Sequence, residues 1–333
     1  VDAYAKEIAR KQIQKSTGTK AQKVEIAKKS IDARRKPIRF VYSVYAESDA
    51  VSAERIAKNG WKRYIHPELG ITYGTESLSG RPVIIGFGPA GIFCGLLLAR
   101  EGYRPLILER GEDVEKRTAT VARFRNEGKL NPVSNIQFGA GGAGTFSDGK
   151  LTTRIHDPLM TFVTETLLAL GAPSDIAWKA KPHIGTDVLI DVVTAMRDEC
   201  IHLGAEFYFT NQLTDLRIEK GALAAIEINH SHWIDTQVLV MAIGHSARDT
   251  FFMLHDRGVT MEAKAFAIGV RIEHPQEMID LSQYGRTDVK DFGPASYKLT
   301  HTTASGRGIY SFCMCPGGYV VNASSEEGRL AVN

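Results

Sequence analysis

Residues 83–99 read VIIGFGPAGIFCGLLLA, seventeen positions without a charge. A spanning helix needs about twenty apolar residues, and glycines in the first third of the run argue against one. A buried strand passing through a glycine turn into a buried helix explains the same run. With PLILE at 105–109, the pattern is strand 82–86, helix 89–102 and strand 105–109, one βαβ unit. In that context Gly86 permits the tight turn, Gly88 lets backbone approach a pyrophosphate, and Gly91 lets helix pack close to strand. Pro89 and Ala90 open the helix at the phosphate end. Glu109, twenty-three residues after Gly86, is placed to accept hydrogen bonds from a ribose diol. Arg110 serves adenosine or phosphate, or is a surface charge; Arg117 is grouped with the cofactor-binding residues. Cys94, inside the helix, reads as core.

A second glycine-rich stretch, FGAGGAGTFSDGK, occupies residues 138–150. A nicotinamide dinucleotide rests on one Rossmann unit and needs no second loop of this kind. FAD does, because its isoalloxazine extends into a neighbouring domain. Gly141, Gly142, Ala143 and Gly144 would bring amides near the flavin, and Thr145 or Ser147 would offer a hydroxyl. The competing reading is a glycine-rich turn without a ligand. A third feature agrees with FAD: residues 238–244, VLVMAIG, form an apolar strand whose Ala-Ile-Gly end resembles the Ala-Thr-Gly that closes the returning strand of two-dinucleotide-fold flavoproteins, with Ile243 in place of the threonine. Ile243 and Gly244 join the cofactor-binding set, with Leu213 at the head of the hairpin 213–228 that precedes this strand.

The 333 residues are 43% hydrophobic and 24% charged, ordinary globular composition for two or three domains. Four cysteines make no disulfide scaffold and favour a reducing, cytoplasmic setting. No membrane span and no signal peptide are predicted. Charge is uneven: residues 1–39 carry +8 and residues 40–333 carry −5. Residues 1 to about 75 read as a small basic α/β unit, with helical spacing over 2–15, a strand at IRFVYSVYAE and a helix at SAERIAKNG ending on a glycine. Farther on, 158–170 and 187–203 are helical, the latter with Thr186 or Asp187 as N-cap. Strands are predicted at 205–209, 213–218, 222–228, 236–243, 265–273, 295–301, 308–313 and 318–323.

GFGPAGIFCG, NPVSNIQFGAGGAGTFSDGKLTTR, KPHIGTD, FAIGVRIEHPQ and SFCMCPGGYVV, in this order, closely resemble a family of bacterial FAD-dependent dehydrogenases, or NAD(P)/FAD-dependent oxidoreductases, with an extra N-terminal domain. The resemblance implies an α/β, two-dinucleotide-binding-domain-like FAD fold interrupted by a substrate domain. It implies non-covalent FAD, a small-molecule substrate it does not name, and a possible redox partner, with NAD(P)H as a transient electron donor. The expected boundaries are 1–75 for the basic domain, 80–155 with 187–250 for FAD, and 156–186 with 251–333 for substrate. Family members continue past this point, so the C-terminus at GRLAVN is expected to be truncated.

Candidates for the chemistry are fewer. Cys313-Met314-Cys315 places two cysteines on one face with their residues about 6.6 Å apart if in a strand, at the upper edge of disulfide geometry. They read either as a redox pair near the flavin or as two packed cysteines. No zinc pattern is present. Among ten histidines, His183 and His245 fall nearest the two cofactor elements, against structural or surface roles. The basic arm opens a different function, a flavin-containing module that binds nucleic acid or protein; a solvated face is the simpler account, since no known nucleic-acid motif accompanies it.

Overall fold

The computed structural model describes residues 1–49, 51–146, 149–151, 157–312 and 314–333. Helix α1 (Asp2–Thr17) ends at Gly18, whose left-handed backbone lets its N–H reach Gln14 O. Ala9 and Ile13 pack on Val24 of a long antiparallel hairpin, β1 (Ala21–Asp32) and β2 (Arg39–Ser48). The segment KVEIAKKSID, unassigned in the sequence, is thus a strand, with a register shift between Ile26 and Lys28. A short helix α2 (Ala53–Lys58) starts on a Ser52 cap and stops before Gly60.

The βαβ reading holds. Strand β3 (Val83–Ile85) leads through the first glycine loop into α3 (Pro89–Arg100) and on to β4 (Leu106–Glu109). After β4 come α4 (Val114–Glu127), α5 (Leu159–Ala169), α6 (Thr186–His202) and β5 (Glu206–Phe209). Then β6 (Leu213–Glu219), β7 (Ala222–Ile228) and β8 (His232–Asp235) form an antiparallel meander, and β9 (Leu239–Met241) returns to the main sheet. That sheet is parallel throughout, in the order β5-β4-β3-β9.

Alternation along the strands divides the core in two. Ile84 and Ile107 face one side, where Ile92, Leu96, Val192, Met196 and Cys200 of α3 and α6 cover them. Val83, Ile85 and Leu108 face the other, against Leu213, Leu216, Ile226 and Ile228 of the meander and Leu254 of α7 (Arg248–Asp256). Strands buried on both faces read as continuous apolar runs, which is why PVIIG and PLILE stand out in the sequence.

Several expectations need correction. Residues 156–186, assigned to a substrate domain, include Leu167, Ala172, Ile176 and Ile184, which share the core of Ile84 and Leu96. The N-cap of α6 is Gly185, with no side-chain cap from Thr186 or Asp187. The strand predicted over 236–243 pairs only at Leu239–Met241, and β8 extends the predicted hairpin to three strands. Helices α4, α7 and α8 (Gln276–Tyr284) were not anticipated. Of the late strands, only β10 (Thr300–Thr302) and β11 (Gly308–Tyr310) form among the described residues, with an isolated bridge between Asn322 and Val332. Residues 265–273 belong to no strand: Phe266, Ile268, Val270 and Ile272 stand 84%, 90%, 93% and 74% exposed. Their period of two describes a segment with an apolar face, but among the described residues no strand pairs with it. No helix among the described residues is long and apolar enough to cross a membrane.

Candidate cofactor site

The first loop lies at the carboxyl ends of β3 and β9, the edge where ligands of open parallel sheets sit. Gly86 takes φ 98°, and a Cβ there would stand less than 2.5 Å from Ala242 O. A Cβ on Gly91 would collide with Gly86 O, so this glycine is fixed by helix-on-strand packing. Gly88 is different: its nearest prospective neighbour is Gly142 Cα, 3.8 Å away. Gly88 caps α3, and the next two residues, Pro89 and Ala90, are exposed. The open end of the helix therefore presents backbone N–H groups and the positive end of its dipole, chemistry that suits a phosphate.

The two glycine loops touch. Gly141 N donates to Phe87 O at 2.8 Å, and a Cβ on Gly142 would lie 2.9 Å from Pro89 Cδ and 3.1 Å from Gly88 Cα. Glu109, buried at the end of β4, binds both: its Oε2 accepts from Phe87 N at 2.7 Å, and its Oε1 from Gly111 N at 2.8 Å and Gly139 N at 3.1 Å. A carboxylate has about four lone-pair positions, so three internal bonds leave one direction for a ribose hydroxyl.

Arg117 is not placed to touch a ligand, which corrects its expected role. Its side chain is fully buried and donates to the carbonyls of Asn135 (2.9 Å), Ile136 (3.1 Å), Gly139 (3.2 Å) and Ala140 (2.5 Å). The guanidinium also stacks 4.6 Å from the Phe146 ring centroid. Burial lowers its pKa to about 10, against the nearby Glu109 charge, so it stays cationic at neutral pH. Arg117 thus holds the second loop from beneath. Asn135 completes the scaffold: its Oδ1 accepts from Gln137 N and Phe138 N, and its Nδ2 donates to Asn131 O.

Arg110 stacks on Phe138, with its guanidinium 4.6 Å from the centroid, and pairs with Asp249 on α7 at 2.7 Å. Burial tends to raise the Asp249 pKa, but the hydrogen bonds and charge of Arg110 lower it overall. Ala143–Phe146 form one turn of tighter helix, with Gly144 partly exposed and Thr145 fully buried. Thr145 Oγ1 is the buried side-chain polar atom without a hydrogen-bond partner among the described residues. Ala242 packs on Gly86 and Gly91, which brings the neighbouring Ile243 and Gly244 to the first loop. Leu213, by contrast, is a core residue of the meander side.

Of the proposed chemical groups, His245 is exposed at the carboxyl end of β9, 2.9 Å from Ser246 Oγ. His183 is exposed and bridges to Lys150, just past the second loop. Cys315 is exposed and free; Ser147 and Cys313 lie outside the described residues. Gly111 has no role in the sequence reading, and Gly139 figures there only as one of the second loop's glycines, although a Cβ on Gly111 would come within 2.5 Å of Gly139 Cα. Their signal was only glycine beside Glu109 and at the head of the second loop.

Residues 265–333 match the family described as "FAD-dependent protein, C-terminal domain-like". Residues 1–47 match a domain of unknown function, DUF8436. An uncharacterized protein of Clostridium beijerinckii is 49% identical over 317 residues, which are 93% of this chain and 59% of that protein. The chain thus spans about three fifths of the curated relative it matches. Among solved structures, Thermovibrio ammonificans THI4 is similar at 18% identity and TM-score 0.37, over 54% of this chain and 62% of that one. The OTEMO complex with FAD and NADP gives 16% and 0.32, over 51% and 26%. L-amino acid deaminase from Proteus vulgaris gives 14% and 0.30, over 57% and 53%.

Proposed function

We propose that this chain is the cofactor-holding part of an FAD-dependent oxidoreductase acting on a small organic molecule. The observation that carries the reading is the exposed N-terminus of α3 at Gly88, Pro89 and Ala90, with the backbone of Gly142 in the second loop beside it. The orphaned hydroxyl of Thr145 in that second loop also fits a polar ligand. When bound, the flavin supplies hydride transfer between the organic substrate and an electron partner. The chain's own residues bind and orient. The helix end at Gly88, Pro89, Ala90 and Gly91 takes the pyrophosphate, and Glu109 takes a ribose hydroxyl with its remaining lone pair. Gly141 to Thr145 line the ribityl side. Residues 80–250 hold the dinucleotide, and residues 251–333 contribute the substrate side. His245 is the best-placed proton donor, because it extends from the strand end that packs on the first loop. A nicotinamide donor visits the flavin without a Rossmann unit of its own.

The test is the visible absorption spectrum of the purified chain after incubation with FAD and removal of excess. A flavin band is expected, weakened at least about tenfold in affinity by Gly88→Ala, with thermal stability unchanged because the added methyl meets only Gly142 Cα at 3.8 Å. A colourless wild-type protein would overturn the reading.

A further inference from the structure

The N-terminal unit reaches the second glycine loop through one strap of backbone, residues 178–184. At one end the strap is stitched to β1: Lys29 N donates to Trp178 O at 2.8 Å, and Ala180 N donates to Lys29 O at 3.1 Å. At the other end it is stitched to the exit of the loop. Leu151 N donates to Pro182 O at 3.1 Å, and Ile184 N donates to Gly149 O at 3.0 Å. There is no slack at that second junction, since a Cβ on Gly149 would stand 2.9 Å from Gly185 N.

The Lys29 side chain secures the first junction. Its Nζ lies 2.6 Å from Asp2 Oδ1, and the ring centroids of Phe40, Tyr42 and Trp178 lie 4.9, 5.7 and 5.5 Å away. Tyr42 donates its hydroxyl to the same Asp2 oxygen at 2.7 Å. One ammonium therefore ties helix α1, strand β2 and the strap together, partly shielded from water, where ion pairing and ring attraction are strongest.

We propose that Lys29 is a positioning residue for the cofactor site: it fixes the strap, the strap fixes Gly149–Leu151, and these set Gly141–Thr145 against Gly88. The effect on flavin rests on the function proposed above; the effect on the loop does not. It gives the basic N-terminal unit a task at the site without any contact with the ligand.

Amide hydrogen exchange on the whole chain tests this without a ligand. Lys29→Met keeps the apolar stem and removes the charge, and Ala180→Pro removes one strap donor and fixes the backbone there without touching Lys29. Both are expected to speed exchange at Leu151 and Ile184 about tenfold or more while leaving Gly86 and Ala242 of the main sheet protected. FAD affinity is expected to fall about fivefold or more in both. Wild-type exchange at Leu151 and Ile184 in a folded Ala180→Pro chain would overturn the proposal, even if Lys29→Met unfolds the N-terminal unit. Faster exchange in both variants of a chain that never binds FAD would support the strap and defeat the flavin reading instead.

Discussion

Gly88 and Gly142 face each other closely enough that one added methyl group on Gly142 would sit 3.1 Å from the Gly88 α-carbon. The two glycine-rich stretches, about fifty residues apart in sequence, are therefore one surface. At these two positions the helix end and the second loop face each other backbone to backbone, with the Pro89 ring beside them.

Gly142→Ala tests that contact. The residue has φ 68°, and its Cβ would meet Pro89 Cδ and Gly88 Cα. Strain and clash together are expected to cost about 2 kcal/mol. Gly144→Ala, with nothing within 4 Å of its Cβ and no positive φ, should stay within about 0.5 kcal/mol of wild type. Denaturant titration of both variants separates the two cases; equal losses would mean the loops are not in contact.

Arg117→Met leaves buried carbonyls at 135, 136, 139 and 140 without their donor. A loss of about 4 kcal/mol is expected. Arg117→Lys should not restore it, because an ammonium cannot reproduce the planar fork. Full stability of the lysine variant would show that charge alone, and not the fork, holds the second loop.

The Asp249 carboxyl is held below its ordinary pKa in the fold by Arg110, despite burial. Its stabilising contribution is then present above the unfolded pKa of about 3.9 and is lost as pH falls through the lower folded value. Thermal unfolding of wild type and Asp249→Asn at pH 6, 4 and 3 should show a gap that narrows toward pH 3. A gap that widens with acid would reverse the assigned sign. High salt should shrink it, since Asp249 is half exposed.

Cys200 lies at the centre of the α3–α6 core, and burial pushes its thiol up to about 12. Alkylation of the native chain at pH 8 should spare it and label exposed Cys315 first, with Cys200 reacting only after denaturant is added. Peptide mapping that finds Cys200 labelled in the native state would place that core in exchange with open forms.

Sequence resolved the parts of this fold where local pattern and tertiary packing ask for the same residues. PVIIG and PLILE are buried on both faces, and the glycine spacing between strand and helix fixes both the turn and the helix end. Contacts between segments distant in sequence were not legible. Nothing near Arg117 announces that its donors go to carbonyls eighteen to twenty-three residues later. Nor does the spacing of Glu109 reveal that it already accepts from Gly139. The late strands were misread for another reason: alternation in AFAIGVRIE reports a face, and a strand also needs a neighbour to complete its hydrogen bonds.

That exposed face has a consequence for how the protein behaves in a tube. Phe266, Ile268, Val270 and Ile272 project into water, with Lys264, Arg271 and Glu273 as the nearby charges. Apolar attraction strengthens with warming over the ambient range and in sulfate, while charge repulsion weakens as salt rises. Solubility should therefore fall with temperature and with kosmotropic salt, and Ile268→Lys should widen the range of conditions in which the chain stays clear.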